Sequence, residues 1–222
     1  MLKGVIFDFD GTLFDSMSVW HTAGEMYLRS VGREPEKGLA SLLKDMSLQQ
    51  SAACLRERYR LPFSPQEIMA GINRTVEGFY LHTVLPKAGV EVLLNALHRQ
   101  KVPLCIATAT DRYLVEAALE RCGMSHFFSE IITASAVGCG KDQPHIYRMA
   151  AQHLGGEKSS VLVVEDACYA VATAKRDGFT VVGVYDPYET DTAAVKALAD
   201  IYLPDYSQLT EFWSLTERMQ RS

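Results

Sequence analysis

The chain is organised around one short stretch, Lys3-Gly-Val-Ile-Phe-Asp-Phe-Asp-Gly-Thr-Leu-Phe-Asp-Ser16. Its apolar run Val5-Ile6-Phe7 is rich in β-branched and aromatic residues, which favours a buried strand. Two carboxylates in D-x-D spacing, Asp8 and Asp10, follow directly. Ligands bind beyond the carboxyl ends of the strands in a parallel sheet, so these acids are candidates for a site. Asp10 with the glycine after it could equally form a turn, and the stretch alone favours neither interpretation.

The composition is ordinary for a globular protein of 222 residues, with 48% hydrophobic and 22% charged residues. This length allows a full hydrophobic core, either in one domain with an insertion or in two small domains. No apolar run is long enough to span a bilayer and no signal-peptide pattern is evident, so we expect no membrane association. The net charge of −5 argues against nucleic acid as a partner, because binding phosphates needs a basic surface.

The five cysteines and six histidines are scattered along the sequence. They form no C-x-x-C or H-x-x-x-H spacing, so we expect no zinc site. An odd number of cysteines without a secretion signal is typical of reduced thiols, and we expect a cytoplasmic protein. The sequence leaves the oligomeric state open, and a monomer is plausible.

The pattern of apolar residues changes once along the chain. From residue 16 to about 82, apolar residues recur at helical spacing, and Ser64-Pro65-Gln66-Glu67 is a capping box with proline at the first helical position. Beyond this segment, strand-like runs alternate with helices, which predicts βαβ units and a parallel sheet with helices on both faces. We therefore predict a Rossmann-like α/β core domain of residues 1–15 and 83–222, and a small helical-bundle domain of residues 16–82 inserted after the first strand.

Four of the predicted strands are followed by residues able to carry chemistry. They are Asp8 and Asp10 after the first strand, Thr108 after the second, Lys141 in the loop after the third, and Glu165 with Asp166 after the fourth. The ends of parallel strands point the same way, so these side chains should converge in one crevice. This convergence favours a functional site over a simple turn.

The set of residues suits metal-assisted transfer of a phosphoryl group. Asp8 and Asp166 offer the hard oxygen ligands that Mg²⁺ prefers. A carboxylate can also attack phosphorus and form an acyl phosphate, which divides one displacement into two. Lys141 and the Thr108 hydroxyl can stabilise charge on the equatorial phosphate oxygens. Asp10 can protonate the leaving oxygen and later take a proton from water.

In this order, the motifs resemble those of the haloacid dehalogenase-like hydrolase superfamily, and the resemblance covers essentially the whole chain. It rests on Asp8-Phe-Asp10-Gly-Thr-Leu, Thr108, Lys141 and Glu165-Asp166. It implies that Asp8 is the nucleophile, that Asp10 is the general acid and base, and that the inserted helices form a cap. The implied magnesium ligands are Asp8, the main-chain carbonyl of Asp10, and Asp166, with Glu165 in support. The implied substrate-binding residues are Asp8, Asp10, Thr108, Ala109 and Lys141.

Two of the motifs depart from the family pattern. The family commonly has proline after the lysine, whereas Asp142 follows here and the next proline is Pro144. The fourth motif often continues Ser-x-x-Gly after the acids, whereas this chain reads Ala167-Cys168-Tyr169-Ala170. Neither departure removes a charged ligand, so we interpret both as tuning of the site.

The leading hypothesis is a Mg²⁺-dependent phosphatase acting on a small phosphorylated metabolite. The alternative is a sugar phosphomutase, because the chain resembles β-phosphoglucomutases in length and cap placement. Those enzymes carry a histidine and a cap arginine where Trp20 and Leu48 stand here, although His21 is one position away. A haloacid dehalogenase would not need Asp10 or Mg²⁺, and a non-catalytic binding module would be expected to lose a key acid.

Some residues of the helical segment are candidates for substrate contact. They are Trp20, His21 and residues 44–47. We expect Trp20 to be buried among the helices and His21 to lie on the surface. Cys168 follows the fourth motif closely, but no base is evident near it and we assign it no role.

Overall fold

The computed structural model describes residues 2–43 and 46–221 of the protein. The chain divides into two compact units. The sheet unit consists of Met1–Asp15 and Leu85–Ser222, and the helical unit is Ser16–Val84. The chain therefore leaves the sheet unit after one strand and returns to it for all the others.

The sheet unit contains six parallel strands. They are β1 (Gly4–Phe7), β2 (Leu104–Thr108), β3 (Glu130–Thr133), β4 (Val161–Glu165), β5 (Thr180–Val184) and β6 (Ile201–Leu203). They form one sheet in the order β3-β2-β1-β4-β5-β6, and every neighbouring pair is parallel. This arrangement confirms the predicted α/β fold with a parallel sheet.

The helices of the described residues fall into two groups along the chain. Those of the helical unit are α1 (Met17–Ser30), α2 (Leu39–Leu43), α3 (Leu48–Tyr59) and α4 (Pro65–His82). Those of the sheet unit are α5 (Val90–Arg99), α6 (Arg112–Arg121), α7 (Ala134–Val137), α8 (His145–His153), α9 (Cys168–Arg176), α10 (Thr192–Leu198) and α11 (Thr210–Arg221). None of these described helices is long and apolar enough to cross a bilayer.

Strand β1 lies in the middle of the sheet although it comes first in the chain. Its residues Val5, Ile6 and Phe7 are completely buried, as the apolar run predicts. Phe7 pairs with Ile106 of β2 on one side and with Val164 of β4 on the other. Because these strands are parallel, the residues that follow them lie along the same edge of the sheet.

The helical unit is held together by apolar stripes on its helices. Ile68, Ile72 and Val76 form the buried stripe of α4. The predicted capping box is present at its start, where Ser64 and Glu67 each accept a hydrogen bond from the backbone N–H of the other. Outside residues 44 and 45, which the structure does not describe, no strand occurs in this unit.

The chain leaves the sheet unit after Asp15 and re-enters it at Leu85, and backbone hydrogen bonds within the sheet unit join these two segments. The N–H of Asp15 donates to the carbonyl of Leu85 at 3.0 Å, and the N–H of Lys87 donates to the carbonyl of Leu13 at 2.9 Å. The N–H of Val84 still donates to Phe79 in the last turn of α4, at 2.8 Å. The helical unit therefore extends to Val84, two residues beyond the boundary expected from the sequence.

Candidate active site

The centre of the site is a buried ion cluster at the carboxyl ends of β1 and β4. Asp8, Lys141, Glu165 and Asp166 are 7%, 4%, 1% and 4% exposed. Lys141 Nζ donates to Asp8 Oδ1 and, at 2.5 Å, to Glu165 Oε1. The N–H of Asp8 is fixed by the Val164 carbonyl at 2.9 Å, so the backbone of β4 positions the carboxylate that follows β1. The structure thus brings together four of the residues predicted from three different motifs.

Glu165 holds Lys141 in place and is itself held by α8. Its Oε1 accepts hydrogen bonds from Lys141 and, at 2.8 Å, from the Tyr147 hydroxyl. Its Oε2 accepts the N–H of Asp166 at 3.2 Å. Both oxygens are therefore engaged within the protein, which suits Glu165 better to orienting the lysine than to binding a ligand.

Asp166 is held by the loop that follows Asp8. The Thr12 hydroxyl donates to Asp166 Oδ1 at 2.8 Å, and the Tyr206 hydroxyl donates to the Thr12 carbonyl at 2.9 Å. All three residues are buried. Within this loop Phe9 stacks on Phe14 with ring centroids 4.4 Å apart, which anchors the backbone on either side of Asp10.

Asp10 is joined to the loop after β2. The Thr110 hydroxyl donates to Asp10 Oδ2 at 2.6 Å, and the N–H of Thr110 donates to the Thr108 hydroxyl at 3.1 Å. Thr108 is completely buried and Ala109 is exposed. Thr108 is thus tied to Asp10 through Thr110, and its hydroxyl contacts the backbone of its own loop rather than the ion cluster.

Burial and charge act strongly on the protonation of this cluster. Burial, reinforced by the charge of Glu165, raises the pKa of Asp8 well above its ordinary value. Burial, Glu165 and Asp186 raise the pKa of Asp166 to about 8. Burial would lower the pKa of Lys141, but the charges of Asp8 and Glu165 outweigh it and raise the pKa instead. Lys141 is therefore positively charged, but its single charge does not neutralise the three carboxylates around it.

A divalent cation fits this set of donors. Oxygen atoms of Asp8, Glu165 and Asp166 lie within 4.8 Å of one another. Hard carboxylate oxygens at this separation suit a hard divalent cation, whose charge would favour the ionised form of both aspartates. Because Glu165 already accepts three hydrogen bonds, Asp8 and Asp166 are the better candidates for direct ligands.

Four contact residues were given no role in the sequence analysis. They are Thr12, Thr110, Tyr147 and Tyr206, and each donates a hydrogen bond to a site residue or to its backbone support. Thr12 lies within the first motif, where no role was assigned to it, and Thr110 lies two residues after Thr108, so proximity could have suggested both. The tyrosines lie on α8 and before α11, and buried aromatic residues there have the same pattern as ordinary core residues.

The structure gives a physical basis for the two departures from the family pattern. Asp142 is exposed, so its charge faces water rather than the buried cluster. Ala167 precedes α9 and supplies no side-chain cap; instead Glu189 Oε2 accepts the N–H of Cys168 at 3.0 Å. A carboxylate from the loop after β5 thus satisfies the start of α9, and Asp166 is left to the site.

Most candidates in the helical unit have contacts within that unit. Trp20 is half-buried and donates from Nε1 to the Tyr80 hydroxyl at 2.5 Å, and His21 is exposed. Ser47 caps α3 in a capping box with Gln50. Residues 44 and 45, also predicted as candidates, lie outside the described residues.

Comparisons with known proteins agree with the fold and identify the family. A family model described as haloacid dehalogenase-like hydrolase matches residues 2–176. A Drosophila melanogaster protein named "Probable pseudouridine-5'-phosphatase" is 31% identical over 205 residues, 88% of each chain. Hexitol phosphatase A of Escherichia coli is 30% identical over 191 residues, 85% of each chain. The crystal structure of CbbY from Rhodobacter sphaeroides in complex with phosphate superposes with a TM-score of 0.83 at 21% identity, covering 95% of this chain and 97% of that one.

The chain belongs to the haloacid dehalogenase-like hydrolases. The resemblance drawn from the motifs is thereby confirmed, and so is the prediction of an enzyme of the hydrolase class.

Proposed function

We propose that the protein is a Mg²⁺-dependent phosphatase that hydrolyses a small organic phosphate monoester through an aspartyl-phosphate on Asp8. The observation that carries this proposal is the position of the Asp8 carboxylate, which shares Lys141 with Glu165 and lies within 4.8 Å of Asp166. A carboxylate with an ammonium group and a second acid beside it can receive a phosphoryl group while its charge is balanced.

In the first step, Asp8 attacks the phosphorus atom and the bond from phosphorus to the ester oxygen breaks. Asp10 gives its proton to that oxygen, so the alcohol leaves as a neutral molecule. Thr110 holds the Asp10 carboxyl at 2.6 Å, which keeps this proton donor in one orientation. Lys141 and Thr108 stabilise the charge on the transferring phosphoryl group.

In the second step, water attacks the phosphorus atom of the aspartyl-phosphate. Asp10, now ionised, takes a proton from that water, and the bond between phosphorus and the Asp8 oxygen breaks. Inorganic phosphate is released and both aspartates return to their starting state. Mg²⁺, when bound by Asp8, Asp166 and the Asp10 carbonyl, would neutralise phosphate charge and align the group for attack.

Small phosphorylated metabolites, sugar phosphates among them, are the proposed substrates. The support is that two relatives are named as phosphatases of a nucleoside phosphate and of hexitols. The helical unit Ser16–Val84 is proposed as the cap that selects among them, because its insertion between β1 and β2 matches the expected cap position. The five free cysteines support a reducing, cytoplasmic setting.

The test is phosphate release from a panel of phosphorylated sugars, polyols and nucleosides, with p-nitrophenyl phosphate as a generic substrate. We expect release with Mg²⁺ and loss of release with EDTA, restored by excess Mg²⁺. Release that persists in EDTA would exclude the metal dependence. If glucose 1-phosphate is converted to the 6-phosphate without free phosphate, the phosphomutase alternative is correct.

A further prediction concerns the Tyr147 hydroxyl. Tyr147→Phe removes one of the two side-chain donors on Glu165 Oε1 while the ring stays in the core, so Lys141 should be less firmly oriented. We expect kcat/KM for the preferred substrate to fall about tenfold, as is typical when a residue that orients a functional group is lost. The measurement is steady-state kinetics alongside thermal unfolding.

The matched control for this variant is Tyr202→Phe. The Tyr202 hydroxyl is buried and forms no hydrogen bond with any described residue. Its loss should therefore leave kcat/KM unchanged. An unchanged kcat/KM in Tyr147→Phe as well would show that the hydroxyl has no part in orienting the site.

A further inference from the structure

Asp186 is a fourth buried acid, beside the three of the ion cluster, and no motif includes it. It lies two residues beyond β5 and is 1% exposed. Its Oδ1 accepts the N–H of Tyr188 at 2.9 Å. Its Oδ2 forms an ion pair with Lys87, whose Nζ is 3.0 Å away, and no other described residue donates a hydrogen bond to it. A carboxylate has about four acceptor sites, so Asp186 can still accept a further donor.

Lys87 brings a positive charge to the same place from another part of the chain. Its Nζ donates to the Tyr185 carbonyl at 2.6 Å and its N–H to the Leu13 carbonyl at 2.9 Å. Its side chain is only 14% exposed. Lys87 therefore connects the loop after β1 with the loop after β5.

Both charges act on Asp166, the better-placed metal ligand of β4. β4 and β5 are neighbours, with Glu165 paired to Gly183, so Asp166 and Asp186 follow adjacent strand ends. The N–H of Lys87 donates to the carbonyl of Leu13, and the neighbouring Thr12 hydroxyl donates to Asp166 Oδ1 at 2.8 Å, so the positively charged Lys87 and the negatively charged Asp186 are joined to Asp166 through the loop after β1 and the end of β5. Because their charges are opposite, the two side chains act in opposite directions on the same carboxylate.

The charge balance of the enlarged cluster points to a cation. Its acids are Asp8, Glu165, Asp166 and Asp186, and its bases are Lys87 and Lys141. When all six groups are ionised, four negative and two positive charges leave a net charge of −2. One divalent cation would balance this charge, and water bound to that cation could donate to the Asp186 carboxylate beside Lys87.

We propose that Asp186 and Lys87 set the affinity of the site for its divalent cation in opposite directions. Asp186 increases the affinity as an acceptor outside the direct ligands, and Lys87 limits it so that the cation is not held too tightly. The inference rests on the metal site of the proposed function but makes no use of the substrate.

A purely structural role for the pair predicts a different result. The ion pair also fixes the loop at Tyr185–Tyr188, so loosening it from either side would disturb the site and weaken cation binding in both variants. The opposite charges predict opposite changes in affinity, whereas loosening of the loop predicts the same change in both variants. The sign of the change in each variant therefore separates the two explanations.

The experiment measures cation binding to the full-length protein without substrate, by calorimetry with Mg²⁺ and by electron paramagnetic resonance with Mn²⁺. Asp186→Asn keeps the acceptor for Tyr188, and we expect its Kd for Mg²⁺ to rise about tenfold. We expect Lys87→Gln to lower the Kd about threefold, as removing one nearby positive charge should. The double variant should lie between the two single variants. The control is Lys175→Gln, which makes the same change in net charge but pairs with Asp200 at the surface and should leave the Kd unchanged.

Weaker binding in both variants, or an unchanged Kd in both, would overturn the proposal. If Asp186→Asn does not fold, Lys87→Gln decides: tighter binding supports the proposal, and unchanged or weaker binding refutes it. Absence of Mg²⁺ and Mn²⁺ binding to the unmodified protein would also refute it. A protein that binds the cation as expected but releases phosphate from no substrate would refute the proposed function and leave this inference standing.

Discussion

Asp8→Asn is expected to abolish phosphate release, with a fall in kcat of about 10⁴-fold or more, as is typical when a catalytic nucleophile is removed. The amide has nearly the shape of the carboxylate but cannot form the covalent phosphate. The measurement is phosphate release under single-turnover conditions, together with mass spectrometry for a phosphorylated protein. Asp8→Asn that retains the activity of the unmodified protein would refute the mechanism.

Stability separates this loss of chemistry from a loss of folding. The pKa of Asp8 is raised mainly by burial, so its ionised form opposes folding at pH 7 in the absence of a metal. Lys141 keeps Glu165 as a partner when Asp8 is neutralised. We therefore expect Asp8→Asn to unfold at the same temperature as the unmodified protein or at a higher one in EDTA. A strongly lowered unfolding temperature would mean that the lost activity cannot be assigned to the nucleophile.

Lys141→Met is expected to impair both stability and activity. The variant keeps most of the aliphatic volume but leaves the carboxylates of Asp8 and Glu165 buried without their shared ammonium group. Breaking a buried ion pair in this way typically costs about 3–5 kcal/mol of unfolding free energy. Phosphate release should also fall by about 10²–10³-fold, because a positive charge at the transferring group is lost. Urea denaturation and steady-state kinetics measure the two effects.

The matched control is Lys175→Met on α9. Lys175 also pairs with a carboxylate, Asp200 at 2.7 Å, but its side chain is 28% exposed. Exposed pairs typically contribute less than about 1 kcal/mol, so this variant should be nearly as stable and as active as the unmodified protein. If the two lysine variants lost equal stability, the buried cluster would not have the energetic importance argued above.

The fold and the centre of the site could be predicted because their signals are local in the sequence. Apolar runs such as Val5–Phe7 identify strands, and the acids that follow them mark the edge where a parallel sheet presents its chemistry. The cluster of Asp8, Lys141, Glu165 and Asp166 is close-packed in the structure, as the convergence of strand ends predicts.

The supporting contacts could not be predicted because they depend on side chains far apart in the chain. Tyr147 and Tyr206 have the spacing of core residues, and only the packed structure shows that their hydroxyls reach Glu165 and Thr12. Lys87 and Asp186 lie 99 positions apart in loops without a motif, and nothing in either loop indicates their pairing. Substrate specificity could not be predicted either, because the polar residues of the helical unit form no sequence pattern that indicates a particular ligand.

The central position of β1 has a consequence for how the protein reaches its folded state. Gly4–Phe7 is synthesised before both of its neighbours, and Leu104–Thr108 and Val161–Glu165 follow only much later in the chain. Until the second neighbour has left the ribosome, an apolar strand has no complete sheet to join. Pairings between such distant segments slow folding and leave strand edges open to aggregation. The nascent chain should therefore depend on chaperones until β4 is available, whereas the helical unit, whose contacts are local, can form earlier.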